Sequence, residues 1–346
     1  MAFSYRTRRT FRGLATALLC LLLAAVLIWM IWIVWLDRFV VYSRDGAKFQ
    51  FDSQQILTGQ PAIPPEETVP VNIIYGDVSQ NTQVSAELAQ FNGYYIDAEA
   101  LLAGVDAVRA QVEALPQGST VMLDVKGVQG YFYYSSTVGP QSGSMDLAAV
   151  DALIEYLAAS THYTIARLPA FQDYYYGLNY TSNGLFRPDG YALWNDYGSG
   201  QLTYWLDPTK DGTINYVTQA INELKRLGFN EVVLADFCFP DTEDLQFSGN
   251  REKAIAEAAD TLAAVCSSDT FCLSFANTDP GFRLPQGERC RLYLVNVAAS
   301  EAKTWADAMG MEDPEIRIVF VTELGDTRYN DYSVLRPIAS ARFEAE

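Results

Sequence analysis

Between residues 93 and 338 short apolar runs alternate with segments of helical periodicity, and this alternation decides what the chain can fold into. Residues 93–97, 120–125, 163–168, 231–237, 270–275, 291–297, 316–322 and 333–338 read as strands. Helices are expected near 104–115, 146–159, 211–227, 250–265 and 300–309. The clearest unit lies within 205–240. Ile214, Val217, Ile221 and Leu224 recur at helical spacing, Lys225 and Arg226 fall in the last turn, and Gly228 stops the helix. Val232, Val233, Leu234 and Ala235 then form an apolar run suited to a strand buried on both faces. Strands alternating with helices make a parallel sheet. Eight such units favour a closed (β/α)8 barrel over an open doubly wound sheet. No Gly-x-Gly-x-x-Gly turn follows the first strand, which weakens a dinucleotide-binding alternative. The barrel is expected to fill residues 71–346, with a short strand at 71–75 and an aromatic-rich insert at about 169–210.

The residues ahead of the barrel place it in a cell. Residues 14–36 run for 23 positions without a charge. As a helix they would reach roughly 34 Å, enough to cross a bilayer. Arg6, Arg8, Arg9 and Arg12 precede them, so residues 1–13 form a basic tail that belongs in the cytoplasm. A cleaved signal peptide is the rival reading, but its apolar region is usually only ~7–15 residues. Residues 37–70, rich in Gln, Glu and Pro, read as a stalk. The expectation is a single-pass membrane protein anchored through 14–36, with its domain outside the cytoplasm. With four arginines ahead of the span, 20 of the 24 basic residues face all 42 acidic ones, a net −22 beyond it. Such a domain repels nucleic acid.

The chemistry is bounded by a scarcity. His162 is the one histidine, and it sits just before the third strand. A Ser-His-Asp system or a His-rich zinc site has nothing else to draw on. No cofactor and no metal-ligand spacing is read from the sequence. Cys238, Cys266, Cys272 and Cys290 are an even set that could pair or remain thiols. Carboxylates are therefore the available acids and bases, and they gather at strand ends. Asp97 follows the first strand. Asp124 and Lys126 follow the second as MLDVKG, on the same side as Met122 by strand alternation. Arg167 ends the third, with Asp173 shortly after; Asp236 ends the fourth and Glu323 the seventh. In such barrels the strand C-termini carry the active site. Paired carboxylates at that mouth are the equipment of glycoside hydrolysis, ~5–5.5 Å apart for retention and ~6.5–9.5 Å for inversion. Tyr131, Tyr133, Tyr134, Tyr174, Tyr175, Tyr176, Tyr180 and Trp205 crowd the loops after the second and third strands. Rings with polar tips suit sugars, and they equally suit the packing of the insert.

The order MLDVKG, IARLPAFQD, WLDP and LGFNEVVLADFCFP resembles a bacterial family of glycosyl hydrolase barrels, mostly uncharacterised. The match is good over about 91–240. Asp124, Lys126, Arg167, Phe171, Asp173, Trp205, Asp207, Pro208, Gly228, Phe229, Glu231, Asp236, Phe239 and Pro240 carry it. The resemblance implies a barrel related to amylase-like hydrolases, acting on a polysaccharide or cell-envelope glycan. The chain departs from the family pattern at Asn230, where the family has Asp, and at Cys238, where it has Arg. Asp236 is read as nucleophile or transition-state stabiliser and Glu323 as acid/base. Asp97, Asp124, Lys126, Arg167, Asp173 and Trp205 are read as substrate-binding. A glycan-binding module without activity and an envelope scaffold are the alternatives that the Cys238 departure keeps open.

Overall fold

The computed structural model describes residues 40–43, 46–49, 88–196, 202–279, 281–286, 289–311 and 313–338. The chain divides into two units, Met1–Asp77 and Val78–Glu346. In the first, Val40–Ser43 pairs antiparallel with Gly46–Phe49 inside the stretch expected as a stalk. The apolar span expected at 14–36 and the strand expected at 71–75 lie outside the described residues. Among the described residues no helix is long and apolar enough to cross a membrane.

The second unit is a closed parallel barrel of eight strands in sequential order. They are β1 (Asn92–Ile96), β2 (Thr120–Asp124), β3 (Tyr163–Pro169), β4 (Glu231–Ala235), β5 (Cys272–Ala276), β6 (Leu292–Val295), β7 (Ile318–Val321) and β8 (Ser333–Pro337). β8 pairs β1 to close the ring, Leu335 opposite Gly93. The helices are α1 (Ala98–Glu113), α2 (Leu147–Ala159), α3 (Tyr174–Asn179), α4 (Asp211–Arg226), α5 (Arg251–Cys266), α6 (Ala302–Met309) and α7 (Pro314–Arg317). α1 starts six residues before the expected 104, because Asp97 caps it by accepting the Ala100 N–H at 2.7 Å. The helical periodicity is obscured at Gly104, which breaks the helix with φ 153°. α4 ends as expected: Gly228 takes φ 97°, the left-handed conformation that glycine enters freely. A Cβ there would also meet Ala158 at 2.7 Å.

Strand alternation sorts two cores. Met122, Ile165, Val233, Tyr293, Val319, Val321 and Leu335 fill the barrel interior. Val121, Leu123, Ala166, Leu168, Val232 and Leu234 face outward into the layer shared with the helices. At the strand N-termini the interior is closed by charge. Arg291 Nη1 donates to Glu231 Oε2 at 2.6 Å, and Tyr163 and Tyr293 donate to the same carboxylate at 2.9 and 2.8 Å. Arg291 also donates to the carbonyls of Ile316 and Ala89. Every strong donor in this floor has an acceptor, as burial demands.

A second buried carboxylate fastens the loop after β2 to the outside of the barrel. Glu223 on α4 accepts hydrogen bonds from Tyr134, Ser136 and both the amide and hydroxyl of Thr137, all within 2.6–2.8 Å. Burial works against its charge, but these hydrogen bonds outweigh it and hold the carboxyl below its ordinary 4.5. A depressed carboxyl stabilises the fold above the unfolded-state value, and that contribution is lost as pH falls through the folded one. We expect Glu223→Ala to cost about 2–3 kcal/mol at neutral pH, the scale of a lost charge-assisted cluster. The gap between variant and wild type should narrow once the pH drops below about 4.5. Urea titrations at pH 7 and pH 3.5 check both statements; an equal gap at the two pH values would contradict them.

Candidate active site at the barrel mouth

Two polar residues meet at the C-terminal ends of β2 and β3 because they are register partners. Asp124 pairs Arg167 across the parallel ladder, one layer above the Met122–Ile165 pair. Both follow the inward phase, so their charges end inside the ring. Arg167 Nη1 lies 2.9 Å from Asp124 Oδ1 and 3.2 Å from the Tyr95 hydroxyl. Tyr95, on β1, donates to Asp124 Oδ2 at 2.7 Å, and the Ala98 amide reaches the same oxygen at 3.3 Å. Burial, reinforced by Asp124, pushes the Tyr95 phenol well above its ordinary value, so it stays a neutral donor. Burial opposes the Arg167 charge, but Asp124, Tyr95 and Asp236 outweigh it and keep the guanidinium ionised. Tyr133 borders the group, its phenol pushed up to about 12 by burial and then by Asp124. The sequence reading missed Tyr95 and the role of Tyr133; the inward phase of Tyr95, register partner of Met122, was the available signal.

Asp236 reaches this group by a different route. Glu231, Val233 and Ala235 share the inward phase of β4, so alternation would send residue 236 outward. Instead Asp236 adopts φ 51°, a left-handed conformation unusual for a residue with a side chain. The charges of Arg167, Lys126 and Asp124 all act on it. Burial lifts its carboxyl above the usual range, Arg167 and then Lys126 pull it back, and Asp124 adds to the lift. No hydrogen bond from a described residue reaches its side chain. Asn296, directly after β6, takes the same left-handed conformation at φ 57°. Residues with a side chain in this region are uncommon, and they cluster at functional sites.

Other expected residues stand elsewhere. Lys126 is not part of β2, which ends at Asp124; it bridges Phe132, and that turn takes its side chain out of the alternation. Its ammonium lies 2.7 Å from Asp173 Oδ2, a charge contact off hydrogen-bond alignment, with side-chain exposures of 1% and 0%. Asp173 Oδ1 caps α3 through the Tyr176 amide, and Oδ2 also accepts from Tyr216 at 2.8 Å. Lys126 and Asp173 thus form the buried support of the mouth and do not face solvent. Trp205 is buried in the insert, its indole N–H 3.4 Å from Asp196. Asp97 is engaged in capping α1. Glu323 is exposed beyond β7, with no hydrogen bond to a described residue.

The two departures from the family pattern have structural accounts. Asn230 Oδ1 accepts from the Thr164 amide and hydroxyl, a job its carbonyl oxygen performs as a carboxylate would. Cys238 is half-buried, and its thiol is pushed up to about 12 by burial, then by Asp236 and Asp279. Asp236 nonetheless feels two cations, from Arg167 and Lys126. Cys238, Cys266 and Cys272 stand outside any disulfide. His162 is buried at the opposite end of the barrel, where β3 begins. Among the described residues no cluster of three or more His, Cys, Asp or Glu is placed to hold a metal ion.

Residues 88–272 match the model of a family described as "Putative glycosyl hydrolase domain", the kind of family the sequence motifs resemble. No curated protein matches the chain. Among solved structures, a hypothetical protein from Ruminiclostridium thermocellum ATCC 27405 is 18% identical with a TM-score of 0.44, covering 53% of this chain and 96% of its own. The glycoside hydrolase domain of PelA from Pseudomonas aeruginosa is 15% identical with a TM-score of 0.43, covering 73% and 97%. A cycloisomaltooligosaccharide glucanotransferase from Paenibacillus sp. is 11% identical with a TM-score of 0.48, covering 72% of this chain and 41% of its own.

Proposed function

The chain belongs to the family described as "Putative glycosyl hydrolase domain", and we propose that it hydrolyses glycosidic bonds of a polysaccharide at the C-terminal mouth of its barrel. The observation that carries this reading is Asp236, turned by a left-handed backbone into the field of Arg167, Lys126 and Asp124. A half-buried carboxyl poised between two cations and another carboxylate is suited to meet the positive charge that develops on a sugar ring. Asp236 acts as nucleophile or stabiliser of that charge. Arg167 and Asp124, locked to each other and to Tyr95, orient the substrate; Lys126 and Asp173 hold the site from below.

Glu323 is assigned the acid/base role as the exposed carboxylate two residues beyond Val321, the inward-facing end of β7. A proton donor matters most when the leaving group is a poor one. Glu323→Gln should therefore slow cleavage of a natural glycosidic bond by about 10²–10³-fold, yet spare an aryl glycoside whose phenol leaves unaided. Equal losses on both substrates would remove Glu323 from the role.

We further propose that residues 14–36 anchor the chain in the cell membrane, with residues 1–13 in the cytoplasm and the barrel of 71–346 outside. The uncharged run behind four arginines supports this. Deleting residues 2–36 should move the protein from the membrane pellet to the soluble fraction; a chain found soluble with the segment intact argues against the anchor. A second reading, a glycan-binding module without turnover, draws on Cys238 in place of the family arginine. Incubating the full chain with a panel of polysaccharides and assaying released reducing ends separates the two. Binding without any reducing ends favours the module.

A further inference from the structure

An open cleft of about 480 Å³ lies on the flank of the barrel between residues 137–140, α3 and the first half of α4. That volume is in the ~300–1,000 Å³ range of small-ligand sites. α4 runs back down the barrel from its mouth, so its residues 212–219 sit at the mouth end. The lining holds no charged side chain, although the chain carries a net −18. A helix face kept wet for solubility carries charges, as Lys253 and Glu257 do one turn apart on α5. Here the corresponding pair on α4 is Asn215 and Gln219, both exposed and without a hydrogen bond to any described residue.

The cleft also has an aromatic ladder. Tyr216 stacks on Tyr176 at 4.0 Å, and Tyr176 meets Tyr180 at 4.6 Å. The two inner rings are fixed. The Tyr216 hydroxyl is bound to Asp173, and that of Tyr176 donates to the Gly212 carbonyl at 2.9 Å and accepts from Asn183. The outermost ring, Tyr180, is 47% exposed, and its hydroxyl has no partner among the described residues. A rigid stack ending in a free ring, faced by two carboxamides that each donate and accept, offers an apolar platform and a hydroxyl-binding rim.

We propose that this cleft is a second glycan-binding site, taking an uncharged stretch of polysaccharide on Tyr180 with Asn215 and Gln219 binding its hydroxyls. The choice of a sugar as ligand rests on the proposed hydrolase reading; the neutrality of the ligand rests on the lining alone. Asp173 supports both sites, since it holds Tyr216 on one side and Lys126 on the other. A chain held at this cleft is kept at high local concentration beside the mouth.

The test is affinity electrophoresis of the full chain through gels containing dextran, starch, laminarin, galactomannan or, as the charged control, polygalacturonate. At least one neutral polysaccharide should retard the protein, and polygalacturonate should not. The triple variant Tyr180→Ala, Asn215→Ala, Gln219→Ala, all at exposed or cleft-lining positions, should weaken that binding at least tenfold. Tyr180→Phe, which keeps the ring, should retain most of it. No retardation by any neutral polysaccharide, retardation by polygalacturonate alone, or binding unchanged in the triple variant would each overturn the proposal. Because the readout is binding, a chain that binds here and never cleaves refutes the hydrolase reading and leaves the cleft standing. Cleavage without cleft binding does the reverse.

Discussion

Asp236→Asn is expected to lower glycan cleavage by at least roughly 10²–10³-fold, the scale of removing one group that stabilises the charge of the transition state, while the protein melts as wild type does. The substitution is a clean probe because of the backbone. At φ 51° a side chain normally strains the chain, but Asn, like Asp, enters the left-handed region readily. It keeps the shape and removes only the ionisable oxygen. Asp236→Ala removes the charge as well, but it places an unsuited residue in that conformation and should cost about 1–2 kcal/mol of stability. The pair of variants therefore separates charge from strain. Both should be inactive, and only the alanine variant should melt early. Steady-state turnover with thermal melts of the two proteins decides it. Turnover in the Asn variant close to wild type would end the assignment of Asp236.

The largest stability effect is expected at the barrel floor. Arg291→Met should cost about 3–5 kcal/mol, the penalty for leaving one partner of a buried ion pair alone. That is a large share of the ~5–15 kcal/mol by which domains are stable. Glu231 would remain fully buried with only the hydroxyls of Tyr163 and Tyr293 to face it. The carbonyls of Ile316 and Ala89 would lose their donors too. Adding Glu231→Gln to Arg291→Met removes the uncompensated charge, so the double variant should be more stable than the single one by at least about 1 kcal/mol. The floor is the end of the barrel away from the mouth, so activity per folded molecule should not change. Urea unfolding of the three proteins reads these differences. A single variant within about 1 kcal/mol of wild type would show that the floor does not hold the barrel together.

How much of this was legible in the sequence depends on the range of the interaction. The strands were, because their apolar runs and flanking helices are local patterns. Asp124 and Arg167 were legible as strand-end charges, since each continues an inward phase set by Met122 and Ile165. Their mutual bond was not, because it needs the register between two strands 43 positions apart. Lys126 was assigned to the mouth by carrying the alternation of β2 on to it, two residues past Asp124, where β2 ends. The place of Asp236 at the end of β4 was readable, but its approach to Arg167 and Lys126 depends on one dihedral that breaks the alternation. Glu223 looked like any acid on an amphipathic helix, and its partners Tyr134, Ser136 and Thr137 lie more than 80 positions earlier. Cys238, in place of the family arginine, kept a reading without activity open. Arg167 and Lys126 come from other strands and loops, which no local motif reveals.

The closure of β8 onto β1 has a consequence in time. Gln90 beside β1 hydrogen-bonds to Asn330, 240 positions later, and Val334 pairs Asn92. Until residue 337 is available, β1 and β7 are both open edges, each a template for pairing with another chain. Contacts this distant in sequence are slow to form. β8 pairs both β7 and β1, so a chain lacking it keeps two unpaired strand edges, and the last strand to be made is the one that removes both.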